Sequence, residues 1–118
     1  MASGGHQYLQ GTLEVLILKT LSWGPMHGYG IGGWLADRTA GELEIEEGSL
    51  YPALHRMERR GWINAEWQIT EKKRRAKYYQ LTGEGRKRLR NDSKAWSRFA
   101  RAVAEVLNES ETPSWAVG

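Results

Sequence analysis

Residues 46–56 read EEGSLYPALHR, and the fold turns on whether this stretch is a packed helix or one with a second face to present. At about 100° per residue, Leu50, Leu54 and Met57 gather on one side, whereas Ser49, Pro52, His55, Arg56 and Arg59 fall on the other. Pro52 suits a first helical turn, where its missing N–H has no partner to lose. Ser49 can then cap the helix, with Glu46 or Glu47 offering an earlier start. The segment closes at Arg60-Gly61, where glycine favours a left-handed cap. One side is therefore core, and the other carries a hydroxyl, an imidazole and two guanidinium groups outward.

Upstream, LQGTLEVLILKTLS places Leu13, Leu16, Ile17 and Leu21 at helical spacing. This predicts a first helix over about 10–22, capped by Thr12 and stopped by Gly24-Pro25. Val15 and Leu18 widen its apolar surface beyond one stripe, as expected of a helix that touches a second surface. A second helix over about 28–39 rests on Ile31, Trp34 and Leu35, with Gly41 near its end. Glycines within GYGIGG cost about 1 kcal/mol each against alanine, which close approach to a neighbour would explain.

Downstream the period changes to two. WINAEWQI and AKYYQLT alternate with Trp67 and Ile69 on one face and Tyr79 and Leu81 on the corresponding one. This predicts a two-stranded antiparallel hairpin whose tip is TEKKRR. A lone hairpin is barely stable in water, so it must lean on the helices. Thr82 caps a long last helix with Glu84 at its positive end. In that helix Leu89, Trp96 and Val103 recur every seven residues, and Phe99, Val106 and Leu107 extend the apolar seam toward its end. Such a seam packs lengthwise on another helix.

The chain has 118 residues, no cysteine and a formal net charge of +3. That length predicts one domain, for which extra burial by self-association is favourable. The absence of cysteine excludes disulfides, thiol catalysis and thiolate metal sites. Val15–Leu18 is the longest apolar run, and MASGGHQY lacks the layout of a secretory signal, so the expected location is cytoplasmic. The charge is unevenly spread. Residues 1–54 hold Lys19 and Arg38 against six acidic residues, and residues 55–118 hold the other fifteen basic residues against eight acidic ones. A polyanion-facing surface is the implication.

Three helices followed by a basic hairpin is the order of a winged helix-turn-helix, whose third helix enters the DNA major groove. The expected fold is mainly α with a small β-hairpin. A DNA-binding winged domain would span 8–82 and a dimerisation helix 83–108, with flexible tails at 1–7 and 109–118. The outward side of the third helix offers groups able to bond base edges or phosphates, and Arg56 is the expected base-edge reader. Lys72, Lys73, Arg74, Arg75 and Lys77 crowd the hairpin tip. Mutually repelling cations suit a phosphate backbone or minor groove better than a structural turn.

Taken together, LQGTLEVLILKTL, GPMHGYGI, EEGSLYPALHRMERRGWI, RRAKYYQLTGEGRKRL and AWSRF resemble the PadR family of transcriptional regulators over about 10–108. The chain is similar to its short subfamily, with a single C-terminal dimerisation helix. The resemblance implies a homodimer, usually a repressor, that binds an inverted-repeat operator and is released by a small molecule. It implies DNA contacts at Ser49, Tyr51 and Pro52, at Tyr29 beside His27, and at Arg75 and Lys77. It also implies that Trp96 stacks a flat aromatic effector, with Val15 and Phe99 beside it.

Trp23, Trp34 and Trp62 are expected in core or hairpin packing. His6, His27 and His55 lie on different elements without acidic company, so no metal site or cofactor is expected. GYGIGG follows a helix and a turn rather than a strand, which removes the basis for a phosphate loop. With no nucleophile-base-acid set, an enzyme is disfavoured. A module that binds RNA or an acidic protein through its basic face is the alternative to sequence-specific DNA binding.

Overall fold

The computed structural model describes the backbone of residues 2–116 and the side chains of residues 11–116. Met1, Val117 and Gly118, at the ends of the two expected tails, lie outside the described residues. The element order is α1 (Ala2–Leu21), β1 (Met26–His27), α2 (Gly28–Arg38), α3 (Glu47–Arg59), β2 (Ile63–Ile69), β3 (Arg75–Leu81) and α4 (Gly83–Leu107). This is a winged helix-turn-helix followed by one long helix.

Leu13, Ile17, Leu18 and Leu21 of α1 meet Ile31 and Leu35 of α2 and Leu50, Ala53, Leu54 and Met57 of α3 in one core, closed from below by Ile63, Tyr79 and Leu81. α1 starts at Ala2 rather than near residue 10. Thr12 is therefore inside the helix and is not its cap. Thr20 is buried, and its hydroxyl donates to the Leu16 carbonyl at 2.8 Å, which satisfies it within the helix.

The start of α3 differs from the expected one. Glu46 is the cap residue in extended conformation, without a side-chain cap bond, and Ser49 lies in the first turn. Pro52 consequently sits inside the helix, where it removes the bond to the Gly48 carbonyl. Gly48 and Pro52 are both exposed, so water can take that carbonyl. The end is as expected: Gly61 has φ +78°, and the Trp62 N–H closes the cap on the Met57 carbonyl at 3.0 Å.

The sheet has three antiparallel strands in the order β1-β3-β2, so the hairpin is not alone. β1 pairs Met26 with Tyr79 and His27 with Tyr78. At two residues it carries no alternation that a sequence could display. β2 and β3 pair Ile63 with Leu81 through Ile69 with Arg75. That register puts Trp67 and Ile69 on the face of Tyr79 and Leu81, but the strands overrun the helices and leave Trp67 57% and Ile69 64% exposed. Trp34 and Trp62 pack on the core. Trp23 does not; it is exposed, with the Lys19 ammonium 4.8 Å from its ring centre.

Burial of the Tyr79 phenol, followed by the nearby Glu58 and Tyr51 charges, raises its pKa above the ordinary 10.0. The folded chain holds this proton more tightly than the unfolded chain, so stability present below about pH 10 is lost as pH rises through the folded pKa. Replacing Tyr79 by Phe is expected to flatten that alkaline loss when unfolding curves at about pH 9 are compared with curves above about pH 10. An unchanged alkaline slope would assign the loss to other groups.

Candidate nucleic-acid interface

The outward side of α3 carries Ser49, Tyr51, Pro52, His55 and Arg59, all exposed, over a backing of Leu50, Ala53, Leu54 and Met57. α2 lies close behind its first turns. A Cβ at Gly28 would come within 2.7 Å of the Tyr51 ring, so glycine there sets how closely the two helices approach. A Cβ at Gly30 would collide with the Met26 sulfur. Close packing thus accounts for two of the α2 glycines, whereas Gly33 has open space.

His27 has a local task. Its Nδ1 accepts the Gly30 N–H at 2.9 Å and caps α2, which leaves Nε2 as the nitrogen able to face a ligand. Its ring lies edge-on to Tyr78 with centroids 5.1 Å apart and stacked toward Tyr29 at 6.5 Å. Tyr29 itself is 79% exposed. An exposed phenol thus stands at the helix start beside an imidazole fixed by its cap bond.

Arg56, the expected base-edge reader, has a partner within the chain. Its Nε donates to Glu14 of α1 at 3.3 Å, and Arg60 approaches the same oxygen at 3.7 Å. Glu14 is largely covered, at 13% exposure, so the pair ties α3 to α1. Lys77 is likewise engaged: its ammonium bonds Glu58 at 3.3 Å and clamps the wing to α3. Arg59 has no carboxylate within ion-pairing distance among the described residues.

At the wing, Lys72, Lys73, Arg74 and Arg75 are exposed, also without an ion-pair partner among the described residues. The tip is ordered by its backbone: Thr70 N–H donates to the Arg74 carbonyl at 2.8 Å, and the Arg74 N–H returns to the Thr70 hydroxyl at 3.2 Å. Lys73 adopts φ +60° to make the turn. The Arg75 guanidinium lies 4.7 Å from the Trp67 ring centre, a stack that holds its planar fork in place.

A second site lies between α1 and α4. Thr12 and Val15 face Trp96, Phe99 and Val103 across an open cleft of 760 Å³, with Arg88 and Asp92 at one side. The Trp96 Nε1–H donates to the Thr12 hydroxyl at 3.1 Å, which orients the indole plane. The three residues expected to line an effector site are thus brought together. Arg88 bonds Asp92 at 3.0 Å and stacks on Trp62 at 4.4 Å. Of the expected dimerisation row, Leu89 is partly buried against the chain's own core. Trp96, Phe99, Val103, Val106 and Leu107 remain 39–76% exposed.

Glu14, the pairing of Glu58 with Lys77 and the stacking of Trp67 on Arg75 escaped sequence reasoning. A carboxylate in an otherwise apolar first helix was the available signal for Glu14, yet its partner is 42 positions away. Among the described residues no cluster of three His, Asp or Glu side chains could hold a metal ion, and no helix is long and apolar enough to cross a membrane.

An outward polar helix beside an unpaired cationic wing defines a winged-helix DNA-binding protein. The sequence profile of the transcriptional regulator PadR-like family matches residues 17–91, and the chain belongs to that family of regulators, which are not enzymes. It is 33% identical over 73 residues to a transcriptional regulator of Mycobacterium tuberculosis, covering 61% of this chain and 67% of that one. Among solved structures it is similar to a PadR-like transcriptional regulator from Bacillus cereus, at 28% identity and TM-score 0.74, covering 88% of this chain and 99% of the other. A PadR family regulator from Eggerthella lenta aligns at 33% identity and TM-score 0.71, covering 92% and 94%.

Proposed function

We propose that this regulator acts as a homodimeric repressor on an inverted-repeat operator and is released when a small planar aromatic molecule enters the α1–α4 cleft. The observation that carries the reading is the outward row of α3 standing beside the unpaired wing cations. Recognition helices read bases mainly with their N-terminal residues, which assigns base edges to Ser49, Tyr51, Pro52 and His55. Arg59, further along, and Tyr29 take phosphates. Arg56, held by Glu14, positions α3, and Lys77, held by Glu58, positions the wing. Release is supported by the cleft: apolar walls and an indole pinned by Thr12 suit a flat aromatic guest.

The test contrasts two substitutions on a duplex selected from a random pool. His55→Ala is expected to reduce discrimination between that duplex and its single-base variants by about 1–3 kcal/mol. Arg75→Ala is expected to weaken binding to every duplex alike and to lower the salt slope by about 1. Equal affinity for selected and random duplexes in the unmodified protein would sink sequence-specific binding, and preference for RNA or an acidic protein would install the alternative.

A further inference from the structure

The side of α4 turned away from its apolar row is cationic along most of its length. At roughly 100° per residue, Arg86, Arg90, Lys94, Arg98 and Arg101 share one sector of the helix, opposite Trp96, Phe99 and Val103. The neighbouring Lys87 bonds Glu84, and Arg88, on the cleft side, bonds Asp92. The five have no carboxylate within ion-pairing distance among the described residues, and all are exposed. Ser93, Lys94, Ser97, Arg98 and Arg101 line a shallow groove of 330 Å³ on this face. Glu105 ends the stripe.

An ordinary solvated helix face mixes signs, because neighbouring pairs at i and i+4 stabilise it while like charges at that spacing oppose it. Here four successive cations sit at i+4 intervals, a repeat of about 6 Å along a stripe of roughly 22 Å. Local helix stability does not account for that choice. A polyanion offsets it, since each phosphate neutralised releases counterions.

The composition of the stripe selects among polyanions. It holds no aromatic side chain on which unpaired bases could stack, which disfavours single-stranded RNA or DNA. It holds no aromatic or aliphatic anchor, which disfavours a protein interface or membrane insertion. What remains are guanidinium forks and hydroxyls, the groups that bind phosphate oxygens without reading sequence. We propose that this α4 face is a second DNA-binding surface, which takes the phosphate backbone of a duplex segment other than the one held by α3 and the wing. The proposed dimer seam occupies the opposite side of α4 and leaves this face open, so one molecule can bridge two segments.

The test is a capture assay with full-length protein. A duplex selected for tight binding is immobilised, protein is bound, and a fluorescent random-sequence duplex is added at roughly 50 mM salt. The expected result is capture of the second duplex. The triple substitution Arg90→Glu, Lys94→Glu, Arg98→Glu should reduce that capture by about tenfold or more and lower its salt slope by about 3, with circular dichroism and binding of the immobilised duplex unchanged. Retained capture by this variant, no capture by the unmodified protein, or displacement by polyglutamate as readily as by DNA would overturn the proposal. Operator recognition fails separately. A protein that shows no preference for any selected duplex, yet binds random duplex through these three residues, loses its operator reading and keeps this surface.

Discussion

Val103→Asp is expected to leave each chain folded but monomeric, and to lower affinity for an inverted-repeat duplex by about two to four orders of magnitude. Val103 is 39% exposed in the single chain and faces the α1–α4 cleft between Phe99 and Val106. An aspartate there remains hydrated in a monomer and costs the fold little. Covered by a second copy it would be an unpaired carboxylate in an apolar seam, a cost that no neighbour offsets. The second reading head then no longer binds at the high effective concentration that the first one creates. Sedimentation gives the mass, and fluorescence anisotropy on one and two half-sites gives the affinity. Glu105→Gln, on the opposite side of α4 and outside the cationic groove, is the control and should change neither. A Val103→Asp protein that sediments as the unmodified one does, with unaltered affinity, removes the α4 seam from the account.

The parts of the fold legible in the sequence are those decided within a few residues. The two sides of α3 follow from Leu50, Leu54 and Met57 against Ser49, His55 and Arg59. The Gly61 cap and the Thr82 cap follow from local chemistry, and Thr82 does accept the Gly85 N–H at 3.0 Å. Where partners lie far apart in the chain, spacing is silent. Glu14 takes Arg56 and Glu58 takes Lys77 across separations of 42 and 19 positions, so two of the expected DNA contacts are engaged by carboxylates of the chain itself. Trp67 shows a related limit: alternation gives its face correctly, but how far the helices extend beneath that face is a tertiary fact. The effector candidates Val15, Trp96 and Phe99, which the family resemblance implied, do line one cleft; helical register gives the side each occupies, but that α1 and α4 face each other there is a tertiary fact.

The other large effect belongs to Gly85→Ala, which is expected to destabilise the chain by about 2–3 kcal/mol and to lower its melting temperature by about 10 °C. Alanine is ordinarily the better helix former by about 1 kcal/mol, so the sign must come from packing. Gly85 is buried in the first turn of α4, and a Cβ there would collide with the Trp62 carbonyl oxygen and come within 3.2 Å of Leu81. That carbonyl cannot easily yield. It accepts the Thr82 N–H at 3.1 Å and the Thr82 hydroxyl at 3.0 Å, and Thr82 is the residue that caps α4. Relieving the collision means lifting α4 from Trp62 and from Leu81 of β3, which strains the cap and loosens the Arg88 stack on Trp62. Gly83→Ala, two residues earlier, meets nothing within 4 Å and should be neutral or stabilising. Thermal unfolding of the two variants therefore moves in opposite directions if close approach is the reason for glycine at 85. Equal shifts would make helix propensity alone responsible and would detach the long helix from the strut that orients it over the winged domain.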